Sequence, residues 1–285
     1  MTRTTSIEWT EHTWNPFVGC SIMSAGCKNC YAMRMAARCA EMGHVAYNGV
    51  AEHSRAGPVW TGKINRNSDS AMTAPLRRRK AAIFFVNSMS DFWHPDAQDK
   101  WRHEAFDVMN STPQHQYQVL TKRPDLIAPT LARMGRCIPE NLWLGATVED
   151  ARVADRIENL RAVPASIRFL SVEPLIAHLG TPDLSGIDWV ITGGESGPRC
   201  RPLRGEWVRE IRDHIAAKHQ TVSLFHKQWG HYKSNPLVHE LGFTEVEAKE
   251  LDPPQFGKGG AHLDDELWRQ FPKYAQAAPQ LPPIS

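Results

Sequence analysis

Six short apolar runs recur along this 285-residue chain, and their spacing restricts the fold more than any other feature. They are Ile83–Val86, Tyr117–Leu120, Leu142–Gly145, Arg168–Ser171, Trp189–Thr192 and Val222–Phe225. Runs of this length and composition read as buried parallel strands. Between them, Ala97–Asn110, Asp150–Val163 and Gly205–Lys218 carry apolar residues at helical spacing, as with Val208, Ile211 and Ile215. Successive strands start 21 to 34 residues apart, the repeat of βα units with right-handed crossovers. A further strand is expected near Trp14–Val18. The expected fold is α/β: a full or partial (β/α) barrel of about six to seven parallel strands, with a doubly wound open sheet as the alternative. Both architectures put the active site at the C-terminal ends of the strands, so the polar residues just after each strand are the ones to read. The expected organisation is a barrel over residues 1–235, holding a cysteine loop at 15–32, and then an extension over 236–285 that ends in a Pro-rich tail. The stretch His44–Ser70, rich in Gly, Ser and Asn, reads as linker-like.

Composition excludes several classes. With 41% hydrophobic and 22% charged residues the chain is neither disordered, collagen-like nor a coiled coil. No apolar run is long enough to span a bilayer, and Met1–Glu8 has no apolar core of a signal peptide, so a cytoplasmic protein is expected. A net charge of +2 gives no overall affinity for polyanions and leaves room only for a local basic patch. Six cysteines are too few for a disulfide scaffold, so clustered cysteines here point to a metal or to catalysis.

Three of the six are clustered. Cys20, Cys27 and Cys30 form C-x6-C-x2-C on a loop containing Gly19 and Gly26, just before a helical stretch at Tyr31–Met42. Thiolates at such spacing can converge on one metal centre. A structural zinc site is normally closed by four ligands. A cubane cluster on three cysteines leaves one iron open for a substrate or cofactor. A zinc knuckle, with Cys39, His12 or His44 as fourth ligand, is the alternative.

The stretch Gly19-Cys20 to Cys30-Tyr31-Ala32 resembles the cluster loop of radical S-adenosylmethionine enzymes, in particular the branch of spore photoproduct lyase and related DNA-repair lyases. It departs from the usual C-x3-C-x2-C by three extra residues between the first two cysteines. Over nearly its whole length the chain is still more similar to a family of phage and bacterial three-cysteine-motif proteins. The shared segments are Leu120–Pro124, Phe169–Leu175, Gly193–Gly197 and Lys227–Gly230. The resemblance implies a [4Fe-4S] cluster on Cys20, Cys27 and Cys30 that cleaves S-adenosylmethionine to a 5′-deoxyadenosyl radical inside the barrel. It further implies a lyase-type reaction on nucleic acid, with repair of a pyrimidine photoproduct in ultraviolet-damaged DNA, or base modification, as the concrete form. An electron donor such as flavodoxin or ferredoxin is the implied partner.

That chemistry sets three tasks for the protein, since the cofactor carries the reaction itself. Lys122, directly after the strand Tyr117–Leu120, is the candidate cation for the methionine carboxylate, and its Leu-Thr-Lys context resembles the lysine site of the lyase branch. Ser88, Ser90, Asp91, Thr147, Glu149, Glu173 and Glu195 all follow strands and are candidates for the cofactor's amine and ribose. Burying three strand-end glutamates without partners is costly, which points to cationic, metal or hydroxyl-bearing ligands, though each alone reads equally as a helix-cap or ion-pair residue. For the substrate, Trp93, His94, Arg123, Lys227, Trp229 and Tyr232 combine aromatic and basic groups suited to bases and phosphates. The basic turn Arg77–Lys80 could contact phosphates but reads more readily as a solvated surface turn. Tyr31, in the Cys-Tyr-Ala ending, and Cys200, as a hydrogen-atom donor, are the catalytic candidates. The second functional class is a zinc-stabilised nucleic-acid-binding or phage accessory protein without redox chemistry.

Overall fold

The structure, a computed structural model, describes residues 3–55, 57–197, 199–251, 258–264 and 266–273. The Pro-rich tail from Ala277 lies outside the described residues. The chain divides into two compact units. The first comprises the described residues up to Ala146 together with Ala162–Ser166, and the second comprises Thr147–Arg161 and the described residues from Ile167 on.

In the first unit the parallel strands are β1 (His12–Trp14), β2 (Ile83–Val86), β3 (Gln116–Thr121) and β4 (Leu142–Thr147, of which all but Thr147 belong here). They pair in chain order: Trp14 faces Val86, Phe84 faces Tyr117, and Val119 faces Leu144. Every residue of β2 and β4 is buried, which is why these strands read as unbroken apolar runs rather than as alternations. The short strand Arg3–Thr4 pairs antiparallel with β1 at the edge. The helices are α1 (Tyr31–Glu41), α2 (Asp99–Asn110) and α3 (Ile127–Met134). The stretch read as linker-like is in fact structured: Ala51–Ser54 and Gly57–Trp60 form an antiparallel hairpin. Its first strand is exposed at three of four positions, so no period-2 pattern marks it.

In the second unit β5 (Ile167–Val172), β6 (Trp189–Thr192) and β7 (Ser223–His226) are parallel and again pair in chain order. The stretch expected as a helix over Asp150–Val163 forms a 3₁₀ turn at Ala151–Val153 and then the shorter α4 (Asp155–Arg161), whereas the helix α5 (Gly205–Lys218) falls where its spacing placed it. Among the described residues seven strands therefore run parallel, four in one unit and three in the other. In neither unit does the strand order reverse. A doubly wound sheet needs such a reversal at its switch point, so the sequential winding of the barrel class is what the structure shows. Among the described residues no helix is long and apolar enough to cross a membrane.

Candidate functional site

In the first unit the cysteine loop is built against the end of β2. Asn15, one residue past β1, accepts the Met89 N–H on Oδ1 at 3.0 Å, and its Nδ2 donates to Ser88 Oγ at 3.2 Å. Gly19 N–H donates to Met89 O at 3.0 Å, and Ser90 Oγ donates back to Gly19 O. Gly19 has φ +101°, and a Cβ there would stand 2.1 Å from Lys63 O, so only glycine fits. Cys20 follows at once. Cys27 closes a 3₁₀ turn at Ala25–Cys27, and Cys30 caps the N-terminus of α1. α1 is rich in Ala and Met, strong helix formers, and buries Ala32, Met33 and Ala36 among Val18, Val50, Trp60 and Met89. Cys20 and Cys30 pack against the same apolar cluster. Burial, with Asp91 and the other two thiols nearby, pushes the Cys20 thiol up to about 12 despite the opposing Arg123 charge. Burial also raises Cys30, against the pull of the Ala32 and Met33 amides and of Lys122.

Asp91 and Arg123 form the polar centre beside this loop. Asp91 Oδ1 accepts from Thr121 Oγ1 at 2.7 Å and from Trp93 N–H at 3.0 Å, while Oδ2 accepts from Lys122 N–H at 3.2 Å and Arg123 Nη1 at 2.8 Å. With four protein donors, this carboxylate organises the strand end. Arg123 Nη1 also reaches Cys20 Sγ at 4.0 Å, and Nη2 donates to Ser21 O at 3.3 Å and to Ser21 Oγ at 2.7 Å. His94 meets the same hydroxyl through Nε2 at 2.8 Å. Its Nδ1 accepts the Asp96 N–H, so the neutral ring carries its proton on Nε2 and donates it to Ser21. Burial and the Arg123 charge hold His94 below the usual imidazole range, consistent with that neutral form. Buried Arg102 pins the intervening loop through Phe92 O, His94 O and Ala97 O.

Among the sequence candidates, Cys20, Cys27, Cys30, Tyr31, Ser88, Asp91, His94, Lys122 and Arg123 thus belong to one unit, and most are tied to the loop by hydrogen bonds or charge. Tyr31 is 48% exposed and donates from its hydroxyl to Ser88 O at 3.1 Å. Trp93 is fully buried on Phe92 and Phe106. Arg77, Arg79 and Lys80 are exposed. Three residues were missed. Asn15 was signalled by its Asn-Pro turn, and Ser21 had no signal. Asn87 takes a left-handed backbone (φ 57°) at the end of β2, is buried, and has no partner for either amide atom among the described residues.

In the second unit the three strand-end glutamates each pair with a cation of the chain itself, the ion-pair alternative to an outside ligand. Glu149 Oε2 accepts from Arg156 Nη1 at 2.8 Å, and the same nitrogen donates to the carbonyl of Thr147, a buried residue. Glu195 takes the Arg201 guanidinium on both oxygens, together with the Arg201 N–H at 2.9 Å. Glu173 accepts from Lys227 Nζ at 2.6 Å. Trp229 is fully buried and donates from Nε1 to His262 O at 2.8 Å. Tyr232, partly exposed, has the Lys249 ammonium 5.3 Å from its ring centre. Cys200 is partly exposed, and its N–H donates to Gly197 O at 3.2 Å.

Among the described residues, no three His, Cys, Asp or Glu side chains are placed to hold a single metal ion. A cubane makes a different demand, because each thiolate ligates its own iron and the sulfurs need not meet at a point. Three thiols on one loop, with Cys27 near enough to help raise both Cys20 and Cys30, fit that demand.

The sequential winding defines an α/β protein of the partial-barrel class, with the three-thiol loop beside its strand ends. The chain belongs to the family described as protein of unknown function (DUF5131), whose model matches residues 4–272. None of the curated proteins compared matches it. Solved structures of spore photoproduct lyase are similar in fold. A complex with dinucleoside spore photoproduct has TM-score 0.47 and 11% identity, and the match covers 79% of this chain and 78% of that one. A cysteine-to-serine mutant of the same enzyme gives TM-score 0.49 at 11% identity and the same coverage. A double mutant with bound AdoMet and dinucleoside spore photoproduct gives 0.47 at 11%, again over 79% and 78%.

Proposed function

We propose that this chain is a radical S-adenosylmethionine enzyme that acts on nucleic-acid bases. The observation that carries the reading is the loop of Cys20, Cys27 and Cys30, whose Cys20 and Cys30 pack against the apolar cluster that α1 helps form, and which is bonded to the end of β2 and bordered by Arg123. A [4Fe-4S] cluster held by these thiols would supply the electron for reductive cleavage of S-adenosylmethionine. The chain's own residues do the rest. Cys20, Cys27 and Cys30 would be the thiolates that hold the cluster. Lys122 meets the methionine carboxylate. Ser88 and Asn87, at the end of β2, border the amine. Asp91 holds Lys122 and Arg123 in place through their shared strand end. The Arg123–Cys20 approach puts a donor beside one thiolate, and hydrogen bonds to cluster sulfurs are among the factors that set potential. The substrate is a base of DNA or RNA, with a pyrimidine photoproduct or a base to be modified as its concrete forms, and an extruded base is the form such a site admits. The proposed setting is the cytoplasm, with a flavodoxin- or ferredoxin-type donor.

The test is anaerobic reconstitution with iron and sulfide, then dithionite, S-adenosylmethionine and either irradiated or plain DNA. A brown protein that releases 5′-deoxyadenosine is expected, and Cys27→Ala is expected to lose both colour and product. A colourless protein that binds stoichiometric zinc instead overturns the reading in favour of a zinc-stabilised binding protein.

A further inference from the structure

Where β5 and β7 end in the second unit, one side chain is buried with half of its polar head unused. Gln228 is 1% exposed. Its Nε2 donates to Gly194 O at 2.8 Å and to Glu173 Oε1 at 3.2 Å. Both partners are acceptors only, so the amide cannot be turned over. Gln228 Oε1 is thereby fixed in place, and it has no donor among the described residues. Leaving such an atom unpaired is a cost that a native fold usually avoids.

The groups around this oxygen are similarly half-used. Glu173 Oε1 takes both Lys227 Nζ and Gln228 Nε2, and Oε2 takes no hydrogen bond from the described residues. Lys227 Nζ spends one of its three N–H groups on Glu173. The side chains of Glu173 and Lys227 are 16% exposed and reach the surface, while Gln228 lies beneath them. Gly193 lets it form, because a Cβ there would stand 3.2 Å from the Glu173 carboxyl carbon. The free valences are two acceptors, Glu173 Oε2 and Gln228 Oε1, and the spare donors of one ammonium.

We propose that Glu173, Lys227 and Gln228 form a recognition site for the Watson–Crick edge of a guanine base. That edge presents one carbonyl acceptor, O6, beside the N1–H and N2–H₂ donors. Lys227 takes O6, and the two free acceptors take the donors. The count selects among bases. A thymine edge has a single N–H between two carbonyls, which leaves Gln228 Oε1 unpaired or facing a carbonyl. A zwitterionic amino acid fills the same count, but its charges compete with an ion pair that is already made, whereas a neutral base edge adds to it. The biological setting rests on the nucleic-acid reading above. The binding itself needs no cluster.

The test therefore uses the full chain purified without iron and titrates guanosine, inosine and thymidine 5′-monophosphates by calorimetry at one salt concentration. Guanosine monophosphate is expected to bind at least tenfold more tightly than inosine monophosphate, which lacks the 2-amino group, and more tightly still than thymidine monophosphate. Glu173→Gln is expected to abolish the preference for guanine. Equal binding of all three nucleotides, no binding, or binding of L-methionine in their place overturns the proposal. A guanine preference in a protein that proves to lack a cluster leaves this site standing while removing the radical chemistry.

Discussion

Arg123 Nη1 lies 2.8 Å from Asp91 Oδ2, and the two side chains are only 5% and 6% exposed. A buried pair of this kind contributes little net stability relative to an apolar pair, yet removing one partner strands the other charge. Arg123→Ala should lower unfolding stability by about 3–5 kcal/mol in urea titrations. Asp91→Asn combined with Arg123→Met should cost less than the sum of the single changes, because neither charge is then left alone. Additive losses would show that the two groups do not depend on each other.

Lys122 is held by its backbone, through the N–H given to Asp91, while its charge reaches Cys30. Lys122→Ala should therefore keep the fold and the iron content of reconstituted protein. Loss of one charged hydrogen bond to a bound carboxylate should weaken S-adenosylmethionine binding by about 1.5–3 kcal/mol, roughly ten- to a hundredfold. Unchanged affinity in equilibrium dialysis removes Lys122 from the site.

The strand framework was legible because fully buried parallel strands leave unbroken apolar runs. Ile83–Val86 and Trp189–Thr192 fall where the sequence put them, and the other four apolar runs differ by a residue or two at their ends. The strand expected near Trp14–Val18 is instead His12–Trp14, with Phe17–Val18 paired antiparallel to Asn65–Arg66. The hairpin at Ala51–Trp60 was not legible, because its first strand is largely exposed and carries no burial pattern. The site was legible in part, as far as residue type announces chemistry. The cysteines, Lys122 and Arg123 could be found that way, but Ser21 and Gln228 matter through the directions of their hydrogen bonds, which no composition encodes. The glutamates read equally as ligand-seeking charges or ion-pair residues, and residue type could not decide between them, although Arg156 and Arg201 lie only seven and six residues further on in the chain from Glu149 and Glu195.

His226, at the end of β7, is fully buried, with Nδ1 3.0 Å from Thr192 Oγ1 and no partner for Nε2 among the described residues. Burial, and then the Arg269 charge, lower its pKa to about 3. The unfolded chain takes up a proton near pH 6.5 and the folded chain does not until about 3, so in that window the unfolded state binds more protons and stability falls as the pH falls. Above that window His226 adds no pH dependence. From pH 7 to pH 5 the wild type should lose about 2 kcal/mol more than His226→Phe, measured by urea unfolding at each pH. Parallel pH profiles for the two proteins would sink the assignment of a neutral buried ring.

Asn87 tests whether strain and function coincide at the end of β2. Its backbone is left-handed at φ 57°, a region that glycine enters freely and other residues enter at a cost, though asparagine at less than most. Its buried amide adds the cost of two unpartnered polar atoms. Asn87→Gly removes both costs and restores freedom to the unfolded chain, so a net gain of about 1 kcal/mol in unfolding stability is expected. Such strain persists where the surrounding structure holds it for use. On the proposed reading the amide borders the cofactor, so the same variant should bind S-adenosylmethionine about tenfold more weakly, the loss of about one hydrogen bond. A more stable variant with weaker binding assigns the amide to the ligand. A less stable variant shows that the amide is paired within the protein, and a more stable one with unchanged affinity makes Asn87 a strained turn with no part in the site.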